Sequence, residues 1–192
     1  METTFSKDWE SACKAVETEI GRTLSSIDPT ALERLKNDIL AADQVFFIGV
    51  GRVMLSLQSI CKRFAHLGIK AHYVGEITEP HLNKNDLLIV GSGSGGSLFP
   101  LGIAKKAHDT VGCRIVHIGS NPNSEMNNYS DYMVRIPVRT KQYLEAEIDS
   151  VQPMTSLFEQ SILLTGDILA KMIIEEKHMD MKALWQYHAN ME

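Results

Sequence analysis

Along most of this chain, short apolar runs alternate with helix-patterned stretches, and no other feature restricts the fold as much. QVFFIGVG (Gln44 to Gly51), KAHYVG, DLLIVG, RIVHIG and YMVRIPV read as buried strands. Between the first two, VMLSLQSICKRFAHLG carries apolar residues at helical spacing and closes on Gly68. A further helix is expected from about Ser97 to His108, with Pro100 tolerated because it falls in the first turn. Strands spaced by helices imply a parallel sheet covered on both faces, an α/β fold. Pro137 has no N–H to give to a strand ladder, which places the last strand at an edge.

Ahead of the first strand, Trp9, Cys13, Val16, Ile20 and Leu24 recur at helical spacing, and Leu32, Leu35 and Ile39 repeat the pattern. The second of these leading helices has a defined start, with Asp28 as N-cap, Pro29 at the first helical position and Ile27 packing on Leu32. After the last strand, the longest expected loop (Arg139 to Gln152) leads into a long apolar helix from near Pro153. With 192 residues, 44% of them hydrophobic, the chain is expected to form one domain spanning 1–192.

The loop GSGSGGS, Gly91 to Ser97, carries the main functional signal. Its four glycines let the backbone turn tightly and bring N–H groups close to a ligand, while Ser92, Ser94 and Ser97 add hydroxyls where a helix begins. A phosphate is the natural occupant; the plainer alternative is a flexible turn without a ligand. Gly91, Gly93 and Gly96 fit the dinucleotide pattern G-x-G-x-x-G, but the following strand RIVHIG offers no acidic residue for a ribose. A nucleotide P-loop needs Lys after its last glycine, and Ser97 stands there. None of the serines has glycines two places to either side, as a hydrolase nucleophile elbow requires.

Charge and composition remove other classes. The formal net charge is -5 and no Lys/Arg cluster occurs, so no nucleic-acid face is expected. Cys13, Cys61 and Cys113 are widely spaced and odd in number, which suits buried thiols in a reducing cytosol rather than a disulfide framework. His66, His72, His81, His108, His117 and His178 show no metal-ligand spacing and are read as structural or exposed, so no metal is expected. METTFSKDWE lacks the basic and apolar regions of a signal peptide, and no apolar stretch approaches the ~18 residues needed to span a bilayer. A soluble, cytoplasmic protein without a membrane partner is expected.

Ligands of open parallel sheets sit beyond the carboxyl ends of the strands, and two Gly-rich loops, GVGR and GSGSGGS, occupy that edge. Arg52 follows the turn Gly49-Val50-Gly51, where its guanidinium suits a phosphate or a developing oxyanion better than the solvated loop charge that is the alternative. Glu159 lies in the first turns of the apolar helix PMTSLFEQSILLTGDILAKMII. Two readings of it stay open: a partner of the helix dipole, or a partly desolvated base with a raised pKa. His188, in the terminal YHANME, has the side chain to shuttle protons near neutral pH, although a histidine near a chain end is more often a surface residue.

FIGVGR, VGEITEP ahead of DLLIVGSGSGGS, QPMTSLFEQ and HANME together resemble the 6-phospho-3-hexuloisomerases of the sugar isomerase (SIS) domain superfamily, over nearly the whole chain from about Gln44. The resemblance implies a doubly wound, flavodoxin-like five-stranded parallel sheet and a homo-oligomer, tetrameric in assembly. It also implies interconversion of 3-hexulose 6-phosphate and fructose 6-phosphate through an enediolate, with no cofactor. By the same resemblance Ser92, Ser94 and Ser97, with Gly51 and Gly93, bind the substrate phosphate, Glu159 is the base, and Arg52 and His188 assist. Ser97 stands where the family usually has Thr, and Gly96 replaces a usual polar residue. Val53 and Met54 follow Arg52 where the family typically places Ser and Gly, which removes a hydroxyl expected near the substrate. The competing expectations are an isomerase of a different sugar phosphate and a phosphosugar-binding module without catalysis. Regulators of that kind usually carry a DNA-binding helix-turn-helix, and the acidic leading helices here supply no basic recognition surface.

Overall fold

Asp28 begins the second helix as its sequence dictates: the carboxylate accepts the Thr30 N–H at 2.9 Å, Pro29 takes the first helical position, and Ile27 is buried beneath. In the computed structural model, which describes residues 3–145 and 147–191, this helix, α2 (Pro29–Ala41), follows α1 (Thr4–Ser25). Alternation then sets in with β1 (Val45–Ile48), α3 (Gly51–Ala65), β2 (Ala71–Tyr73), β3 (Leu87–Gly91), α4 (Leu98–Thr110), β4 (Arg114–Gly119), β5 (Tyr132–Arg135) and α5 (Ser156–Glu176). Short 3₁₀ turns occupy Glu125–Asn128 and Ala183–Tyr187.

All pairings in the five-stranded sheet are parallel, in the order β2-β1-β3-β4-β5. That is the flavodoxin-like doubly wound order. Side chains alternate across the strands, so β1 sends Phe46 and Ile48 to one face and Val45 and Phe47 to the other. The first face packs with Leu88 and Val90 against Ala104 and Ala107 of α4; the second meets α2, α3 and α5 through Leu35, Ile39, Leu57, Phe64 and Ile162. Burial of each large side chain here contributes about 1.5 to 3 kcal/mol. Helix α5 crosses α3 so closely that a Cβ on Gly166 would stand 2.4 Å from Ile60 Cγ1, which explains a residue without a side chain in the middle of a helix.

Several expectations shift. Helix α1 starts five residues earlier than its apolar spacing indicated (Thr4 against Trp9), and Trp9 is 63% exposed, so only the later residues of the stripe, Ile20 and Leu24, reach the core. Cys61 and Cys113 are buried, whereas Cys13 is only partly so. Strand β5 is an edge strand but ends at Arg135, so Pro137 lies beyond the ladder. Helix α3 begins at Gly51, in the left-handed region at φ +59°, which puts Arg52 in its first turn rather than in the loop before it.

Candidate active site

Strands β1 and β3 are neighbours whose connections leave in opposite directions, α3 over one face to β2 and α4 over the other to β4. A crevice must open between their carboxyl ends. A cavity of about 370 Å³ lies there, and Gly51, Arg52, Ser92, Gly93, Ser94, Ser97 and Glu159 all line it. Residues from three separate stretches of sequence are thus brought to one place.

The Gly/Ser loop is held from behind and within. Ser92 accepts the Gly95 N–H on both its carbonyl and its hydroxyl oxygen, each at 3.1 Å, and Gly95 turns through the left-handed region at φ +66°. The Gly93 carbonyl accepts from the Ser120 and Asn121 N–H groups at 2.9 and 3.1 Å. His117 of β4, completely buried, lies with Nε2 2.8 Å from the Ser92 carbonyl; only Nε2–H can satisfy an acceptor, so this nitrogen carries the proton. Burial pushes the His117 pKa down, although the bond to Ser92 works the other way. With the carbonyls taken up on the β4 side, Ser97 leads into α4 without its hydroxyl bonding the helix N–H groups; it accepts instead from Ser92 Oγ at 3.3 Å. Hydroxyls and a positive helix end therefore converge on one side of the loop, the arrangement an anion requires.

Glu159 stands opposite. Its side chain is buried, Thr155 Oγ1 donates to Oε1 at 2.8 Å, and Arg52 Nε donates to Oε2. The carboxylate is therefore paired with a cation rather than set in the mostly apolar surroundings its helix suggested. Ser56 Oγ of α3 donates to the Glu159 carbonyl at 2.9 Å, fixing the two helices against each other beside the cleft. Among the described residues the lining holds two cations, Arg52 and Lys141, against the single carboxylate of Glu159, a balance that favours an anionic ligand.

His188 is the one predicted site residue that the fold does not bring to this cleft. It stacks near His66 and Trp185, at ring-centroid distances of 5.1 and 5.0 Å, and lines a separate cavity with Arg63 and Leu184. That cavity borders the end of α3 opposite to Arg52, and a helix of 15 residues is about 22 Å long. Position near the chain end gave no information about which end of α3 the segment would meet.

Sequence reasoning missed Thr140, Lys141, Met154, Thr155 and Phe158, which line the cavity together with Val53. Thr155 carried a signal, a hydroxyl residue at the start of an apolar helix and one turn before Glu159. Thr140 and Lys141 carried none. They belong to the long loop, which Glu147 folds by accepting from Ser120 Oγ, Thr140 Oγ1 and the Leu144 N–H at 2.9, 3.1 and 2.9 Å. Thr140 then packs on Gly93 so tightly that a Cβ there would lie 2.8 Å from its Cγ2. His117, expected to be structural or exposed, is buried and has the structural role, holding the Gly/Ser loop from β4.

Residues 38–164 match the family model of the SIS domain. The chain belongs to the SIS domain family. Among its SIS relatives, the 3-hexulose-6-phosphate isomerase of Bacillus subtilis is 34% identical over 174 residues, covering 91% of this chain and 94% of that protein. A protein of the same name from Mycobacterium gastri is 32% identical over 179 residues, 92% and 88% of the two chains. A crystal structure of a protein from Methanococcus jannaschii, from which a molecular function of 3-hexulose-6-phosphate isomerase was inferred, superposes with a TM-score of 0.80 at 28% identity, covering 95% of this chain and 99% of that one.

Proposed function

We propose that this protein is a sugar-phosphate isomerase that interconverts 3-hexulose 6-phosphate and fructose 6-phosphate in the cleft between β1 and β3. The observation that carries the reading is the facing of a Gly/Ser loop at a helix N-terminus by a buried carboxylate paired with a guanidinium. The relatives' names point to the same substrate.

In this reading Ser92, Ser94, Ser97 and the start of α4 hold the phosphate, with Gly51 and Gly93 allowing close approach of the backbone. Glu159 takes the proton from C2 of the 3-ketose. The C2–H electron pair moves into a C2–C3 double bond, and the C3 carbonyl becomes an oxyanion that the Arg52 guanidinium stabilises. The O2 proton passes to O3, and return of a proton from Glu159 to C3 leaves the carbonyl on C2. Val53 gives the wall beside Arg52 an apolar surface in place of a hydroxyl. We also infer a cytoplasmic homo-oligomer, tetrameric as the family resemblance implies, in which the exposed Phe5, Trp9, Leu98 and Phe99 are covered by other copies.

A panel of phosphorylated ketoses and aldoses, assayed with a chelator present, tests the reading: 3-hexulose 6-phosphate should be turned over fastest. Tight binding of sugar phosphates with no turnover of any of them would establish a binding module instead.

A further inference from the structure

Helix α1 lies outside the sheet and lines no part of the cleft, yet one of its carboxylates reaches the segment that carries the cleft's base. Glu19 accepts three hydrogen bonds from a stretch more than a hundred residues away: Ser150 Oγ at 2.7 Å, the Val151 N–H at 2.6 Å and the Gln152 side-chain amide at 3.0 Å. Arg139 grips the same stretch from its other side, donating to the Ser150 carbonyl at 2.6 Å and to Asp149 at 2.7 Å. The Gln152 N–H bonds back to Ser150 Oγ at 3.0 Å, so Ser150 to Gln152 wrap around the carboxylate as one turn. Burial pushes the Glu19 pKa up, but the bonds from Val151, Ser150 and Gln152 and the charge of Arg139 outweigh it and hold the carboxylate below its ordinary range.

Only Pro153 and Met154 separate this turn from Thr155, whose hydroxyl donates to Glu159. The link has little freedom: proline fixes its own φ, and Met154 sits in the left-handed region at φ +56°. The body of α5 is held independently by the buried Leu157, Phe158 and Ile162. What remains to be set from outside is the approach to its first turn. We propose that Glu19 is a positioning residue for catalysis: by clamping Ser150 to Gln152 onto α1, it fixes where Met154 and Thr155 stand and how Thr155 holds the Glu159 carboxylate. This rests on the isomerase reading above.

Glu19→Gln keeps the size of the side chain but turns one acceptor oxygen into a donor facing other donors. Three readouts are taken on the full chain, well below its melting temperature: kcat and KM for 3-hexulose 6-phosphate, inhibition by inorganic phosphate, and amide hydrogen exchange over residues 149–155. The proposal expects kcat to fall by about 10- to 100-fold, the scale of a small misplacement of reacting groups. Phosphate inhibition should change less than about threefold, since the Gly/Ser loop is anchored on β3 and β4, and exchange at Val151 and Gln152 should accelerate. Glu19→Asp, which keeps two acceptor oxygens on a shorter stem, should recover part of kcat. An unchanged kcat beside an active wild type, or unchanged exchange over 149–155, overturns the clamp. Absence of turnover by the wild-type protein on every sugar phosphate overturns the isomerase reading and the catalytic role with it, and altered phosphate inhibition at unchanged exchange assigns Glu19 to the phosphate site instead.

Discussion

Replacing Glu159 by Gln separates its two possible roles, because they predict effects of different size on different measurements. The carboxylate lies in the first turn of α5, where its interaction with the helix dipole contributes about 0.3 to 1 kcal/mol. Its pairing with Arg52 adds on the order of 0 to 1 kcal/mol, since that guanidinium side chain is 66% exposed and screened by water. The same exposure means that Arg52 is not left as a buried, uncompensated charge. Thr155 keeps an acceptor in the amide oxygen. Stability should therefore fall by less than about 2 kcal/mol, which for a chain of this size lowers the melting temperature by less than about 8 °C. Loss of a general base costs about 10²- to 10⁴-fold in rate, equivalent to about 2.7 to 5.4 kcal/mol in the barrier. The assay is coupled detection of fructose 6-phosphate beside a thermal melt, with inorganic phosphate as a competitive inhibitor to report on the Gly/Ser loop. Expected are a kcat lower by at least about 10², phosphate inhibition within a few-fold of wild type, and a small shift in melting. Turnover within threefold of wild type, at about the same melting shift, would refute the base and leave Glu159 as a helix-end partner.

The glycines of the loop are not equivalent. At Gly95, where φ is +66°, a Cβ would stand 2.4 Å from Ser124 Cβ, so Gly95→Ala should cost about 1 to 3 kcal/mol from overpacking, with left-handed strain in addition, and weaken phosphate inhibition. Gly96→Ala meets no atom within 4 Å and should change stability by less than about 0.5 kcal/mol; equal effects of the two in melting and inhibition would refute this. His117 gives a pH dependence. Its folded pKa is pushed below the ordinary 6.5, so the unfolded chain binds the proton first, and the stabilisation is complete above about pH 6.5 and declines as pH falls from there toward the folded value. His117→Gln should flatten the slope of unfolding free energy below about pH 6.5, whereas a slope equal to wild type would exclude His117 as its source.

The sheet and its helices were legible because their signals are local. Period-two and period-3.6 patterns, Asp28-Pro29 and the glycines each act within a few residues, and the strand-helix alternation then restricts the topology. The same locality explains why Arg52, Glu159 and the three serines could be singled out as candidates: each stands where a strand, a turn or a helix begins, and the doubly wound topology carries such positions to one edge. Side chains whose role depends on tertiary reach were not legible. Glu147 and Glu19 shape the long loop through contacts made over 3 to more than 130 residues, and neither is distinguished in sequence from a solvated surface carboxylate. Thr140 and Lys141 enter the cleft only because that loop is folded. His188 is the opposite case, a residue singled out by type and motif that the fold of the single chain leaves beside His66 at the far end of α3.

The most direct test of the account is the isomerisation itself, run with purified wild-type protein on 3-hexulose 6-phosphate in D₂O with a chelator present and followed by NMR. A Glu159-centred enediolate route removes the proton at C2, delivers one to C3 and exposes the carried proton to solvent, so fructose 6-phosphate should accumulate with deuterium at C3. Undetectable conversion by correctly folded protein would contradict the proposed activity, and conversion that leaves C3 free of deuterium through many turnovers in both directions would contradict the proton-transfer route through Glu159.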